Sequence, residues 1–221
     1  MSAPIQYRVS EVYPTIQGEG ELAGTPVVVL RLQGCGVGCP WCDTKHSWDE
    51  NGSPRGAVPA RATAAELVAL VEKEARDGRC IGWVLLTGGE PAEQDLSELF
   101  VALKGAGFRI MLETSGTASG HLKDVALVDH VTVSPKQGMP GGKPIVQEAI
   151  DTASELKFVV GKRQDISAID AFIVQFGVRG GMRVSLQPVS QSVSATKLAV
   201  DECIRRGWHL SIQQHKVLEL P

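Results

Sequence analysis

The sequence of 221 residues lacks an apolar run of the ~20 residues that a membrane-spanning helix needs. It also lacks the charged and apolar N-terminal segment that directs secretion. Nor does it have an excess of positive charge for binding a nucleic-acid backbone, because its formal net charge is −3. These absences predict a cytoplasmic protein that binds a small molecule, with neither a membrane nor a nucleic acid as its partner.

Internal repeats and low-complexity tracts are absent as well, and no stretch has the composition of a linker between domains. Apolar residues make up 43% of the chain and charged residues 21%, which is ordinary for a globular protein. A chain of this length is within the range of one α/β domain with one continuous core. We therefore expect a single domain over residues 1–221.

Short apolar runs rich in β-branched residues alternate with segments of helical period along the chain. The predicted strands are residues 26–33, 82–87, 109–113, 130–134, 156–160, 183–187 and 208–213. Apolar residues at positions 96, 99, 100 and 103, and again at 169, 172, 173 and 176, have the spacing of amphipathic helices. The alternation predicts an α/β fold in which helices pack against a largely parallel sheet.

Several residues mark the predicted helix ends and loops. Thr63 and Glu66 have the spacing of a capping box at a helix N-terminus, while Gly105 and Gly207 are placed as helix C-caps. Residues 51–61 and 137–144 are rich in Gly and Pro, which predicts loops. The second loop directly follows a predicted strand, where a loop is placed to cover a site.

Five cysteines are present, and three of them, Cys35, Cys39 and Cys42, lie within eight residues as C-x3-C-x2-C. An odd number clustered in this way is a poor disulfide framework and indicates a metal site in a reducing compartment. The triplet follows a predicted strand in a glycine-rich loop that can wrap a bulky ligand. Cys80 and Cys203 stand in apolar or helical contexts and are predicted to be buried small hydrophobic residues.

Two kinds of metal site are compatible with three neighbouring thiols. A structural zinc ion needs four protein ligands, and His46 is the candidate for the fourth. A 4Fe-4S cubane held by three cysteines instead leaves one iron open, and that iron can chelate the amine and carboxylate of a methionine. We favour the cluster, since Trp41 supplies the aromatic residue that precedes the last cysteine in the motif of such sites.

At this point the sequence resembles the radical S-adenosylmethionine superfamily, whose signature is C-x3-C-x2-C with an aromatic residue before the third Cys. Residues 86–91, LTGGEP, are similar to the segment of that superfamily that meets the amino group of the methionine moiety. The resemblance implies that Cys35, Cys39 and Cys42 bind a 4Fe-4S cluster. An electron from this cluster would cleave S-adenosylmethionine to a 5′-deoxyadenosyl radical, which removes a hydrogen from the substrate.

Four further segments narrow the resemblance to the 7-carboxy-7-deazaguanine synthase family, over nearly the whole chain. They are residues 15–20 (TIQGEG), 31–34 (RLQG), 113–117 (ETSGT) and 213–216 (QQHK). The resemblance implies a carbon–nitrogen lyase that converts 6-carboxy-5,6,7,8-tetrahydropterin to 7-carboxy-7-deazaguanine with loss of ammonia, in queuosine and deazapurine biosynthesis. It also implies an α/β fold of the radical S-adenosylmethionine type, a modified partial (β/α) barrel with fewer helices than a full barrel.

The family resemblance assigns individual positions of this sequence. The implied substrate-binding residues are Ile16, Gln17, Gly18, Glu19, Arg31, Thr87, Glu113, His215 and Pro221. The implied cofactor-binding residues are Trp41, Cys42, Asp43, Gly88, Gly89, Glu90, Ser134, Pro135, Lys136, Gln187, Pro188, Val189 and Ser190. Thr44 is implied as a ligand of Mg²⁺, although its position also fits a helix N-cap.

The assigned side chains have suitable chemistry, and each also has an ordinary structural alternative. The planar guanidinium of Arg31 can grip a substrate carboxylate with two hydrogen bonds, or it can form an ion pair within the protein. Glu19 and Glu113 can accept hydrogen bonds from the donor-rich edge of a pterin. Without the family context, Glu113 would be placed at a solvent-facing strand end, and His215 would be a satisfied core histidine.

The family further implies an electron donor such as flavodoxin or ferredoxin, and a homodimer. Two other functions are compatible with part of the pattern. A radical activase that acts on a glycine of a partner protein shares the cluster motif, but residues 17–19 and Arg31 argue against it. A non-catalytic zinc module would use the three clustered cysteines and His46, and it would hold no iron.

Overall fold

The structure, a computed structural model, describes residues 3–77, 79–118, 122, 124–189 and 192–220. Its strands are β1 (Tyr7–Ile16), β2 (Pro26–Leu32), β3 (Arg61–Ala62), β4 (Trp83–Gly88), β5 (Arg109–Thr114), β6 (His130–Val133), β7 (Glu155–Val160), β8 (Arg183–Pro188) and β9 (His209–Leu210). They form one sheet in the order β3-β1-β2-β4-β5-β6-β7-β8-β9. Neighbouring strands from β2 to β9 are parallel, whereas β1 runs antiparallel to β2 and to β3.

The described helices are α1 (Ala64–Arg76), α2 (Ser97–Gly105), α3 (Gln147–Thr152), α4 (Arg163–Phe176), α5 (Val193–Arg206) and α6 (Gln214–Val217). The predicted capping box at α1 is confirmed, because Glu66 N donates to Thr63 Oγ1 at 3.3 Å and Thr63 N donates to Glu66 Oε2 at 2.8 Å. The predicted C-cap at Gly207 is also confirmed, with a left-handed φ of 68°. Among the described helices, none has the length and apolar character that crossing a membrane requires.

Two sequence predictions about single residues are wrong. Gly105 is the last residue of α2 rather than its cap, and Ala106 caps the helix in a right-handed conformation before Gly107 turns the chain with a φ of 86°. Cys80 is exposed in the connection between α1 and β4. The prediction for Cys203 is confirmed, since this thiol is buried on α5 and donates to the backbone oxygen of His209.

All seven predicted strands are present, although the last of them shortens to the two residues of β9. The sequence analysis missed β1, the longest strand, because Pro14 interrupts its pattern. Strand β3 pairs only with Tyr7 and Arg8 of β1. Around Pro14, β1 therefore pairs with β2 on one side and with no described strand on the other, which is where a proline is tolerated. The two-residue strand β3 was also missed, inside the end of the predicted loop 51–61.

Alternation along the parallel strands gives the sheet two different faces. One face points toward the helices, and residues such as Leu30, Leu86 and Ile110 form the large apolar core there. The opposite, concave face has a smaller apolar cluster of Val27, Val29, Leu85 and Met111 in the first half of the strands. Further along the same strands this face carries the polar side chains of Arg31, Thr87, Glu113, Thr132, Lys157 and Gln187.

Strands β3 and β9 are the edges of an open sheet, so the barrel is not closed. Helices α1, α2, α4 and α5 lie against the outer, apolar face of the strands. This is the modified partial barrel with few helices that the family resemblance predicts. The division into a single domain stays a prediction.

Candidate radical and substrate site

The three clustered thiols line a cavity of about 250 Å³ at the carboxyl ends of the strands. Cys35, Cys39 and Cys42 follow β2 in a loop in which Gly34 and Gly38 have φ values of 107° and 73°. A residue with a Cβ is strained in that left-handed region. The two glycines therefore let the loop turn tightly enough to bring all three thiols to one cavity.

The glycines of the LTGGEP segment pack this turn against the cysteine loop. A Cβ on Gly88 would lie 2.7 Å from the backbone oxygen of Leu32, and a Cβ on Gly89 would lie 2.2 Å from that of Gly34. The backbone N–H of Glu90 donates to the same Gly34 oxygen at 2.9 Å. The sequence pattern predicts that these glycines let the backbone approach a ligand. In the structure they also let the end of β4 and the turn after it approach the end of β2 and the cysteine loop.

The Gly- and Pro-rich loop 137–144 packs on the other side of the cysteine loop. The N–H of Gly141 donates to the backbone oxygen of Val37 at 3.0 Å, and a Cβ on Gly141 would lie 1.9 Å from the oxygen of Gly36. Lys143 forms an ion pair with Glu93 at 2.5 Å, and Glu93 also accepts from the N–H of Gly36 at 3.1 Å. The loop thus covers the cysteine loop directly.

The thiols are suited to an iron–sulfur cluster. Burial raises the pKa of Cys35 to about 11 and also raises the pKa of Cys39, so both must release protons when they bind a metal. Within the described part of the chain, no three His, Cys, Asp or Glu side chains are gathered around a single metal ion. A cubane binds each thiolate through a different iron, whereas one zinc ion takes all of its ligands in a single tetrahedron.

A second cavity of about 730 Å³ adjoins the first. Every described residue that the family resemblance assigns to the substrate lines it, namely Ile16, Gln17, Gly18, Glu19, Arg31, Thr87, Glu113 and His215. The two cavities share the residues Glu19, Asp43, Thr44, Thr87, Glu113 and Lys216. The thiol cavity and the second cavity therefore lie side by side and share part of their walls.

A buried lysine joins the two carboxylates at the junction of the cavities. Lys157 is in contact with Glu19 and lies 3.5 Å from Glu113, while Gln17 and Thr87 donate to Glu113 at 3.2 and 3.3 Å. Burial alone would raise the pKa of Glu19, but the charge and hydrogen bond of Lys157 lower it to about 2. Burial disfavours the charged form of Lys157, but the negative charges of Glu113 and Glu19 outweigh burial. The pKa of Lys157 is therefore raised. Glu19 is thus held as an ionised acceptor.

Arg31 lines the second cavity and is paired within the protein. Its Nε donates to Glu11 Oε1 at 2.6 Å, and its Nη2 donates to the hydroxyl of Tyr13 at 3.3 Å. His46, the fourth ligand of the zinc alternative, has its Nε2 3.3 Å from the same Glu11 oxygen. Glu11 therefore orients the guanidinium along one edge and also holds His46.

Helix α6 closes the second cavity from the C-terminal side. A Cβ on Gly18 would lie 2.3 Å from Nδ1 of His215, so only glycine allows the two segments to meet. Lys216 lies 2.7 Å from Asp43, and Gln213 donates to Glu19 at 2.8 Å and to Asp43 at 3.2 Å. These contacts connect the end of the chain to the cysteine loop.

The structure brings most of the predicted cofactor-binding residues to the thiol cavity, namely Trp41, Cys42, Asp43, Gly89, Ser134, Lys136, Gln187, Pro188 and Val189. Gly88 lines the second cavity instead. Glu90 is fully buried beside the site, where it accepts from Ala92 N at 3.0 Å, Thr114 Oγ1 at 2.7 Å and Ser115 N at 2.6 Å. Pro135 is not among the residues that line either cavity. Ser190 and Pro221 lie outside the described residues.

The sequence analysis missed Lys157 and Glu155, which belong to β7. Glu155 is fully buried, accepts from Ser185 and Thr132, and accepts from the N–H of Glu21 at 2.9 Å. Burial opposes its ionisation, but His130, whose Nε2 lies 3.8 Å away, and the hydrogen bond from Ser185 bring its pKa to about 2. The sequence signal that could have found them is the pair of charged residues, two positions apart, in an otherwise apolar strand. Such buried charges indicate polar partners inside the fold.

Comparisons with known proteins agree with this geometry. The family model of the Radical SAM superfamily matches residues 29–158, which span the cysteine loop and the strands up to β7. A fold of this kind with three thiols at the carboxyl end of a partial barrel defines a class of enzyme, and the chain belongs to the radical S-adenosylmethionine superfamily. Members of this superfamily bind a 4Fe-4S cluster and S-adenosylmethionine, act on another molecule and need a reductant.

Curated relatives place the chain within that superfamily. It is 37% identical to the 7-carboxy-7-deazaguanine synthase of Escherichia coli K12, over 98% of this chain and all of that protein. It is 34% identical to the synthase of Pyrobaculum aerophilum, over 96% of this chain and 91% of the relative. A crystal structure of QueE from Escherichia coli superposes with a TM-score of 0.82 and covers 95% of each chain at 37% identity. The chain belongs to the 7-carboxy-7-deazaguanine synthase family.

Proposed function

We propose that this protein is the lyase that converts 6-carboxy-5,6,7,8-tetrahydropterin to 7-carboxy-7-deazaguanine and releases ammonia. The observation that carries the proposal is that two adjoining cavities share part of their walls. One is lined by the three thiols and the other by the residues assigned to the pterin, and they meet at Thr87 and Glu113. A cluster held by the thiols would therefore lie beside a substrate in the second cavity.

In this proposal Cys35, Cys39 and Cys42 would hold the cluster, and S-adenosylmethionine would bind beside it in the same cavity. When bound, the pair supplies a 5′-deoxyadenosyl radical, which abstracts hydrogen from the substrate. Trp41, Ser134, Lys136 and the segment 187–190 bind the cofactor. Lys136 is a cation for its carboxylate, although burial lowers the pKa of that lysine.

The second cavity selects the pterin by charge and hydrogen bonding. Arg31 binds the substrate carboxylate through the side of the guanidinium that Glu11 does not occupy, since Glu11 accepts from Nε. Glu19 and Glu113 accept from the donor-rich edge of the heterocycle, and Gln17 and His215 complete the pocket. Lys157 keeps Glu19 ionised, so this carboxylate is ready to accept hydrogen bonds from the substrate.

Thr44 is the proposed protein ligand of Mg²⁺. It precedes the short turn Lys45–Ser47 as the sequence alternative of an N-cap requires, but its side chain makes no capping hydrogen bond. Its hydroxyl lies 3.5 Å from Cys42 Sγ, and the residue lines both cavities. Mg²⁺ keeps several waters and binds few protein groups, so one hydroxyl together with substrate oxygens is sufficient.

The remaining proposals concern the cellular compartment of the enzyme, its oligomeric state, its electron donor and the use of its product. We propose a cytoplasmic homodimer that receives electrons from flavodoxin or ferredoxin, and whose product enters queuosine or related deazapurine biosynthesis. The free thiols of Cys35, Cys39 and Cys42 favour a reducing compartment. Size-exclusion chromatography with light scattering tests the dimer, and turnover supported by each purified reductant tests the donor.

The function is tested with anaerobically reconstituted protein, 6-carboxy-5,6,7,8-tetrahydropterin, S-adenosylmethionine and a reductant, and with product detection by mass spectrometry. We expect 7-carboxy-7-deazaguanine and ammonia in equal amounts. The variant Arg31→Met should retain the cluster spectrum and lose substrate binding. A brown, reducible protein that cleaves S-adenosylmethionine but yields no deazaguanine would overturn the proposed substrate, and stoichiometric zinc without iron would overturn the cluster.

A further inference from the structure

Trp48 has no part in the proposed function, yet its indole contacts one of the three cysteines. Its Nε1 lies 3.3 Å from Cys42 Sγ, a distance suited to an N–H···S hydrogen bond. An indole nitrogen only donates, so the sulfur is the acceptor. Cys42 is thus a thiol with a side-chain N–H donor aimed at it, in the wall of the cavity that the other two thiols also line.

The backbone fixes the position of this indole against the cysteine loop. The N–H of Cys35 donates to the oxygen of Trp48 at 3.0 Å, and the N–H of Gly34 donates to the oxygen of Ser47 at 2.8 Å. Ser47 is fully buried, and its hydroxyl donates to the oxygen of Thr44 at 2.7 Å. Residues 44–48 are therefore tied to the loop that they follow, so Trp48 and Cys42 are held as one unit.

A cation lies on the indole as well. Nζ of Lys45 is 5.6 Å from the centroid of the Trp48 ring, within the range of a cation–π contact. Positive charge over the ring draws electron density from the indole and makes its N–H a stronger donor. The side chain thus has the geometry and the polarity for a hydrogen bond to a thiolate, which is a better acceptor than a neutral thiol.

We propose that Trp48 raises the reduction potential of the cluster through an N–H···S hydrogen bond to the Cys42 ligand. This inference rests on the cluster assigned to Cys35, Cys39 and Cys42 under the proposed function. Reduction adds negative charge that the ligand sulfurs share, so a donor on one sulfur stabilises the reduced state more than the oxidised state. Hydrogen bonds to sulfur are a recognised determinant of cluster potentials.

The test replaces the donor while it keeps an aromatic group. Trp48→Phe removes the N–H, and incorporation of benzothienylalanine at position 48 exchanges N–H for sulfur with almost the same shape. Trp208→Phe is the matched control, because Trp208 also carries a cation over its ring, Arg206 at 4.6 Å, but packs against the helix-side core. Each reconstituted protein is titrated with dithionite, and the reduced cluster is quantified by electron paramagnetic resonance.

We expect both replacements at position 48 to shift the midpoint potential to a more negative value, while the control at Trp208 keeps that of the unaltered protein. Pulsed resonance spectra of the reduced, unaltered protein should show a proton coupled to the cluster in H2O that is replaced by a deuteron in D2O, and Trp48→Phe should lack it.

An unchanged potential in Trp48→Phe would overturn the inference. So would a shift in Trp48→Phe that the benzothienyl protein does not share, because shape would then be the cause. If Trp48→Phe does not fold, the benzothienyl protein decides. A cluster signal in the unaltered protein without deazaguanine formation would contradict the proposed substrate and leave this test intact. The absence of any cluster would overturn both.

Discussion

The two faces of the sheet use alternate residues of the same strands for opposite purposes. The face toward the helices is a continuous apolar core that includes Leu30, Leu86 and Ile110. The concave face has apolar packing in its first half and then the charged set of Arg31, Glu113 and Lys157. One residue of shift along a strand therefore changes a packing position into a binding position.

The two faces differ in the interactions that stabilise them. Apolar packing on the helix side is tolerant, since residues of similar volume can replace each other at low cost. The concave face holds buried charges that are compensated only in their present arrangement, as with Lys157 between Glu19 and Glu113. We expect changes on the first face to alter stability and changes on the second to alter activity.

The largest effect should come from the cysteine loop at the end of the concave face. Cys42→Ser removes one cluster ligand, so turnover should fall to background and iron content should drop, while the circular dichroism spectrum stays that of a folded protein. Iron analysis and the turnover assay measure this. Cys80→Ser, at an exposed thiol, is the control and should retain full iron and activity. Loss of iron in the control would contradict the assignment of the ligands.

On the helix-facing side, Leu86→Ala should lower the free energy of unfolding by about 2–5 kcal/mol, because it leaves a cavity in the core. Leu86 is fully buried. Urea denaturation measures the loss, and KM for the pterin should stay near its original value in the folded fraction. Val174→Ala, at an exposed position, should change stability by less than about 0.5 kcal/mol. A large rise in KM for Leu86→Ala would contradict the expectation that changes on the helix-facing side alter stability and not activity.

Glu113→Gln should lower kcat/KM by roughly 10- to 100-fold, since hydrogen bonds to a charged group contribute about 1.5–3 kcal/mol. The carboxylate accepts from Gln17 and Thr87 and faces both cavities, so an amide of the same size removes charge without removing volume. Steady-state kinetics measure the change. The matched control is Glu72→Gln on the exposed side of α1, which should have unaltered kinetics.

The smallest effect should be a change in acid sensitivity through Glu155. Its pKa is lowered from 4.5 to about 2 in the folded protein, so its ionised form stabilises the fold above pH 4.5, and that contribution is lost as the pH falls toward 2. Glu155→Gln should therefore flatten the pH dependence of the unfolding free energy over that window. Urea titrations from pH 2 to 5 measure this, with Asp201→Asn as an exposed control. Equal slopes in Glu155→Gln and the unaltered protein would contradict the assignment.

Features with a local sequence signal were predicted, whereas features that depend on distant contacts were missed. The seven strands and the C-x3-C-x2-C loop were predicted because apolar alternation and thiol spacing are local signals. Strand β1 was missed because Pro14 breaks its pattern, and its pairing with β2 depends on a distant segment. The roles of Glu155 and Lys157 also depend on contacts across the fold, with Glu21 and Glu19 respectively. Local periodicity shows that such a charge is unusual, but not which group compensates it.

The family resemblance assigned residues that no local pattern connects. Gln17, Arg31 and His215 are far apart in the sequence and line one cavity in the structure. Their roles toward the substrate stay predictions, as do those of Ser190 and Pro221. An ion pair within the protein was the alternative to a substrate-binding role for Arg31. The structure shows that Arg31 pairs with Glu11 and still lines the second cavity.

The most direct test of the account is a crystal structure of the anaerobically reconstituted protein with S-adenosylmethionine and 6-carboxy-5,6,7,8-tetrahydropterin. The account predicts a 4Fe-4S cluster bonded to Cys35, Cys39 and Cys42. It also predicts the pterin in the adjoining cavity, with its carboxylate on Arg31 and its donor edge on Glu19 and Glu113. A single zinc ion on the thiols, or a pterin bound away from this cavity, would contradict it.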